Sequence, residues 1–146
     1  VIKDGKKFKA KVVDFDSVKD LALLKVADDE TNFSGTSFVF CNKPEFADGK
    51  GKPWIGFGFI QPKILLFTEF RYFEGYVESA MPAGEKQLRG FLEQSIQPGF
   101  SGGPVLDKNG YCLGILHGTY PIVSVFSPTS EIIVFLDKNK VKYHMK

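Results

Sequence analysis

The sequence predicts an all-β chain, a barrel or sandwich of short antiparallel strands, and three observations carry that expectation. Runs rich in Val, Ile, Phe and Tyr recur at short spacing along the 146 residues. Turn pairs such as Asp48-Gly49 and Asn109-Gly110 fall between them. Only the segment opening at Ser127 has the marks of a helix. With 43% hydrophobic residues and 15 phenylalanines, the chain can build one compact domain or two small, tightly joined lobes.

In order along the chain, Phe8, Ala10 and Val12 alternate with Lys7, Lys9 and Lys11, the period of a half-buried strand whose lysines face water. The stretch from Leu21 to Val26 is apolar except at Lys25, as a strand buried on both faces would be, and it opens directly after Asp20. Further strands are expected from Ser37 to Cys41, Trp54 to Ile60, Ile64 to Phe70, Tyr72 to Ser79, Leu88 to Gln94, Val105 to Leu106, Tyr111 to His117 and Ile122 to Phe126. Asn109-Gly110 marks the clearest hairpin. The glycines from Gly49 to Gly58 precede neither a helix nor a Lys-Ser/Thr pair, so they form a loop running into a strand, not a phosphate cradle. At the end, Ser127 is placed to cap a helix, Pro128 suits its first position, and Ile132, Phe135 and Leu136 make one apolar stripe. The β-branched run Ile132-Ile133-Val134 keeps a strand as the alternative. Lys138, Lys140, Lys142 and Lys146 form a basic tail expected to be solvated and frayed.

Charge excludes little but points nowhere. Lys and Arg total 19 against 17 Asp and Glu, a net +2, so no overall field draws the chain to nucleic acid. No apolar run approaches the roughly 18 residues of a membrane span. Cys41 and Cys112 are too few for a disulfide framework and lie at no zinc spacing. They are expected to be small buried hydrophobes, with one bridge between them as the alternative. No metal-ligand pattern and no cofactor motif stands out.

The most informative stretch is Gln97-Pro98-Gly99-Phe100-Ser101-Gly102-Gly103-Pro104-Val105. Glycines on both sides strip side-chain cover from Ser101 on a tight turn. A serine hydroxyl that attacks a carbonyl needs such access, and the resulting oxyanion needs two preorganised N–H donors, which the amides of Gly99 and Ser101 would supply. The bland reading of a bare Gly-x-Ser-Gly is a plain β-turn.

The longer string resembles the nucleophile loop of the trypsin-like (chymotrypsin-fold) serine peptidases, Gly-x-Ser-Gly-Gly-Pro leading into a strand. The stretch from Val105 to Ile115 resembles the hairpin behind that nucleophile. Ser127-Pro128-Thr129-Ser130-Glu131-Ile132 is similar to the strand-to-helix junction of the HtrA-type branch. A second match lies at Asp20-Leu21-Ala22-Leu23-Leu24-Lys25-Val26, which resembles the HtrA segment carrying the acid of the triad. An aspartate there would hold a histidine Nδ1–H and favour the imidazolium that forms as Ser101 loses its proton. The bland reading is an Asp capping a strand end in water. The resemblance implies a double β-barrel with its first barrel incomplete, residues 1–54 being the remainder of that barrel and 55–146 the second barrel with its C-terminal helix. It implies a serine endopeptidase acting on polypeptide substrates through an acyl-enzyme, with no cofactor or metal, and it leaves room for a homo-oligomer.

The triad histidine is expected upstream of Val1, because in the family it precedes the aspartate and the only histidines here are His117 and His144. The order Asp20, Ser101, His144 is an alternative triad, with its base near a chain end. Phe100 stands where pancreatic-type enzymes carry an acid that pairs with a freed amino terminus, so that switch is not expected. Ser95, where trypsins carry the acid that selects Lys and Arg, is expected to line a small or medium apolar pocket with Ile96, Val125, Phe126 and Ser127. Glutamyl endopeptidases of this fold carry Gly-Ile-His; here the order is Gly114-Ile115-Leu116-His117, one residue later, which strict alternation would turn to the opposite face. Two rival readings remain, a pseudopeptidase that only binds peptides or partners and a β-barrel interaction module with a coincidental loop.

Overall fold

The computed structural model describes residues 1–3, 6–27, 37–41, 53–60, 69–82, 88–93, 95–119 and 121–146. The expected turn at Asp48-Gly49 and the strand residues from Ile64 to Thr68 lie outside them. The chain forms two compact units, Val1–Ser37 and Phe38–Lys146.

In the first unit, β1 (Ile2–Lys3) pairs antiparallel with β2 (Lys6–Lys7), and β3 (Ala10–Asp16) pairs antiparallel with β4 (Leu21–Val26) from Ala10↔Val26 to Asp16↔Leu21. The tight turn between β3 and β4 is built by Asp16, whose Oδ1 accepts hydrogen bonds from the amides of Val18 (3.0 Å) and Lys19 (2.9 Å). Two expectations change here. The β4 run was to be buried on both faces, yet only Leu21 is buried and Leu24 is 51% exposed. The apolar row on β3 is likewise open, with Val12 at 61%. Period and hydrophobicity report a face's tendency to be covered, and a two-stranded ribbon cannot cover its own faces.

The second unit is a closed barrel. Its strands β6 (Pro53–Ile60), β7 (Glu69–Pro82), β8 (Leu88–Leu92), β9 (Pro104–Leu106), β10 (Cys112–Thr119) and β11 (Ser124–Pro128) run in the order β11-β8-β7-β6-β9-β10, and pairing of β10 with β11 closes the ring. Closure leaves these six strands without a free edge. Outside the ring, β5 (Val39–Phe40) lies parallel to β10. Trp54, Val77, Leu92, Ile96, Phe100, Val105, Leu113, Leu116 and Phe126 fill the interior. Phe126 is fully buried, and its ring lies against Gly90 and Gly114, where any Cβ would overlap it. These two glycines make room for one large aromatic in a barrel of this size.

The hairpin at Asn109-Gly110 is present. Gly110 takes φ +81°, and Asp107 Oδ1 accepts from the amides of Asn109 and Tyr111, both at 2.8 Å. The C-terminal segment is helical, α1 (Thr129–Lys138), burying Ile132 and Phe135. Pro128, not Ser127, occupies its N-cap position, and no side chain caps the helix. After it, β12 (His144–Met145) pairs parallel with β5, and the Lys146 amide donates to the Phe40 carbonyl at 3.0 Å. The Tyr143 ring meets Phe40 edge-on at 6.0 Å, so the basic tail is docked and not frayed. Aromatic contact and strand pairing override the solvation of its lysines. Both cysteines are free thiols, Cys112 buried and Cys41 half-buried. Burial pushes the Cys112 thiol up to about 11.

Candidate active site

The segment before Ser101 is tied to the barrel at both ends. Ser95 Oγ meets Thr119 Oγ1 at 2.7 Å, and the Ile96 amide donates to Ser124 Oγ at 2.9 Å. Phe100 is fully buried against Gly58 and meets Phe73 edge-on at 5.0 Å. The residue before Ser101 is therefore a core anchor, and the chain must rise sharply from it. Gly99 at φ +107° and Gly102 at φ +84° supply left-handed backbone on either side of the rise.

Three backbone hydrogen bonds lock the turn: Gly103 N–H to the Phe100 carbonyl (2.8 Å), Gly102 N–H to the Leu116 carbonyl (2.6 Å) and Leu116 N–H to the Gly103 carbonyl (2.9 Å). Gly103 has no alternative residue, because a Cβ there would collide with the Phe57 carbonyl and lie 2.9 Å from the Phe100 carbonyl. Ser101 is left exposed at the crest. The Gly102 and Gly103 amides are consumed by the lock, whereas those of Gly99 and Ser101 have no hydrogen-bond partner among the described residues. An exposed hydroxyl flanked by two uncommitted amides is chemically suited to attack on a carbonyl and to holding the oxyanion that follows.

Beside Ser101 opens a cleft of about 610 Å³, lined by Phe38, Phe57, Phe59 and Phe70 together with the Gly99–Pro104 turn. Phe70 stacks on Phe57 at 5.8 Å and meets Phe59 edge-on at 5.4 Å. Sequence reading missed this cleft; its signal was the alternation Gly56-Phe57-Gly58-Phe59, which sends the glycines inward and the rings outward.

The residues expected to line the specificity pocket divide by face. Ile96 and Phe126 belong to the core cluster, because alternation along β11 turns Phe126 inward. Ser95 is exposed, while Val125 and Ser127 are buried. The strict alternation expected for His117 is broken. Leu116 pairs with Phe126 and Gly118 with Val125, so His117 is the extra residue of a bulge. Its Nε2 is hydrogen-bonded to Arg89 Nη1, which also donates to Ser127 Oγ at 3.2 Å. Arg89 had not been singled out; nothing in its local sequence announces a partner 28 residues away.

Asp20, in the first unit, is exposed and holds φ +54° at the end of the β3–β4 turn. Asp tolerates this left-handed conformation better than most residues. Its neighbours are engaged locally, Asp16 by the turn and Asp14 Oδ1 by the Phe15 amide at 2.9 Å. His144 is exposed on β12. Among the described residues, no three His, Cys, Asp or Glu side chains gather as metal ligands, and no helix is long and apolar enough to cross a membrane.

The sequence profile of the trypsin-like peptidase domain matches residues 1–115. A comparison with curated protein sequences finds no match. Among solved structures, the Rv3671c protease of M. tuberculosis in its active form is similar with TM-score 0.78 at 21% identity, covering 99% of this chain and 64% of that one. Its inactive form gives TM-score 0.74 at 22% identity, with 94% and 69% covered. The HtrA-type protease AlgW with a decapeptide gives TM-score 0.67 at 18% identity, with 94% and 42% covered. At these identities the likeness is one of fold, and this chain spans about two thirds of the Rv3671c chains and under half of AlgW.

Proposed function

Because the chain belongs to the trypsin-like peptidase domain family, we propose that it is the nucleophile-bearing part of a serine endopeptidase, with Ser101 as nucleophile and Asp20 as the acid of the triad. The observation that carries the reading is the locked turn, which leaves Ser101 exposed beside the amides of Gly99 and Ser101, neither used by another group among the described residues. In the proposed reaction Ser101 Oγ attacks the scissile carbonyl and its proton passes to a histidine that precedes Asp20 in the chain, upstream of Val1. Asp20 holds that imidazole by its other nitrogen. The Gly99 and Ser101 amides stabilise the tetrahedral oxyanion; the leaving amine takes the proton back, and water then hydrolyses the acyl-enzyme. Ser95, Val125 and Ser127 remain in the proposed substrate-pocket wall, supported by Ile96 and Phe126 from within.

The second reading is a pseudopeptidase, a barrel that binds peptides without cleaving them. It differs from the first reading only in lacking a base within reach of the Ser101 hydroxyl. A fluorophosphonate probe separates the two. Full-length protein labelled at Ser101, with labelling abolished in Ser101→Ala, is the expected result; no labelling of either protein would favour the pseudopeptidase.

A further inference from the structure

The barrel turns a row of aromatic rings outward beside the Ser101 turn. Gly56 and Gly58 are buried, packed against Trp54 and Phe100, so alternation along β6 sends Phe57 and Phe59 to the outer face. On β7, Tyr72 pairs with Phe57 and Phe70 with Phe59, which places two further rings on that same face. The Phe70 ring contacts both phenylalanines of β6, stacked within 12° of parallel on Phe57 and edge-on to Phe59 at 60°. Phe57, Phe59 and Phe70 are not part of the core cluster, and Phe59 and Phe70 remain 61% and 56% exposed. The three rings hold one another, so the surface they form is set before anything binds it.

That surface opens directly onto the turn. The cleft of about 610 Å³, within the roughly 300–1,000 Å³ of ligand sites, has phenylalanines along one wall, and Gly99 with the run from Ser101 to Pro104 along the other. Gly102 and Gly103 present no side chain there, so a flat ring can lie close to the turn. No described residue that lines the cleft carries a charge. The lining includes nothing from Ser95 to Pro98 and nothing from β10 or β11. The wall proposed for the residue preceding the scissile bond, Ser95, Val125 and Ser127, therefore lies outside the cleft. A peptide with its scissile carbonyl at Ser101 and its preceding residue against that wall continues its leaving portion over the phenylalanines.

We propose that this cleft is the subsite for the leaving side of the substrate and that it takes an aromatic side chain, Phe, Tyr or Trp, from one of the two residues that follow the scissile bond. Phe59 and Phe70 are the residues that select it. The inference rests on the peptidase reading and deepens it. Rings exposed to water gain by being covered, and an incoming ring makes edge and face contacts with them that an aliphatic chain does not. A charged side chain would lose hydration here and meet no counter-charge among the described lining residues.

The test digests a peptide library, prepared from a whole proteome by cleavage after lysine, with the full-length protein, and reads both sides of every cut by mass spectrometry. Aromatic residues are expected in the two positions after the scissile bond at least about fivefold above their frequency in the library, the range for partly covering one large apolar side chain. In the double variant Phe59→Ser, Phe70→Ser the enrichment should fall to within about twofold of unity. The profile at the residue preceding the bond should keep its shape, which a general loss of structure would not leave intact. Phe59→Leu, which keeps an apolar wall but loses a ring, should lower the enrichment about twofold, and it decides the matter if the double variant makes no cuts. Cuts without aromatic enrichment in the unaltered protein, or an enrichment that survives these substitutions, overturn this proposal alone. A library left uncut sinks the peptidase reading and this proposal together.

Discussion

Gly103→Ala probes the turn that carries Ser101. The added Cβ would lie against two carbonyl oxygens, Phe57 and Phe100, both backbone, so no flexible side chain can swing aside. Relief requires the turn to move, and the movement strains the three hydrogen bonds at 2.6, 2.8 and 2.9 Å that join Gly102, Gly103, Phe100 and Leu116. Each such bond contributes about 1 kcal/mol net, and overpacking into a rigid site costs roughly 1–3 kcal/mol more. The expected destabilisation is therefore about 3–5 kcal/mol if most of the lock is lost. Gly102→Ala is the control: its Cβ meets nothing within 4 Å, so its cost is the left-handed φ of +84° alone, about 1–2 kcal/mol. Urea unfolding of the full-length protein measures both. The rate of fluorophosphonate labelling reports the same motion at Ser101, where a displacement on the order of 1 Å slows reaction about a hundredfold. If Gly103→Ala matched Gly102→Ala in both stability and labelling, the account of the turn as locked by close backbone approach would be refuted.

Asp20→Asn should leave unfolding unchanged, since Asn also accepts φ +54°, yet lower kcat on the order of ten-thousandfold by holding the wrong imidazole tautomer; a near-normal rate in a peptide-cleavage assay would remove Asp20 from the triad. Gly90→Ala should cost about 2–4 kcal/mol in chemical denaturation because its Cβ overlaps the Phe126 ring, and Gly90→Ala with Phe126→Leu should recover part of that loss; strict additivity would show that the ring is not what the glycine accommodates. For Cys112, the thiol is neutral in the folded barrel up to about 11, against an ordinary value of 9.0. The folded state then holds its proton while the unfolded chain releases it, so stability is intact below pH 9.0 and falls as pH rises towards about 11. Cys112→Val should flatten that stretch of the stability–pH curve; an unchanged slope would mean that other groups set it.

The tight turn of Gln97 to Val105 was legible in the sequence because it is local: glycines that permit left-handed φ, a serine between them and a proline opening a strand act within a few residues of one another. The Asn109-Gly110 hairpin and most barrel strands were legible for the same reason, since turn type and period are properties of short stretches. Coverage was not. Leu24 and Val12 read as buried and are open, because hydrophobicity states what a face would gain by being covered and not whether another layer is there. The tail after α1 read as solvated, yet β5, about a hundred residues earlier in the chain, supplies a strand for it. His117 shows the limit most sharply. Alternation assigns its face only if no residue is extra, and a single bulge, settled by how β10 must pair with β11 while Leu116 stays in the core, brings it to Arg89 and Ser127. The sequence by itself thus determined the local shape of the turn that exposes Ser101, while the closure of the barrel decided which distant side chains meet one another, because that depends on register between strands and no local pattern encodes it.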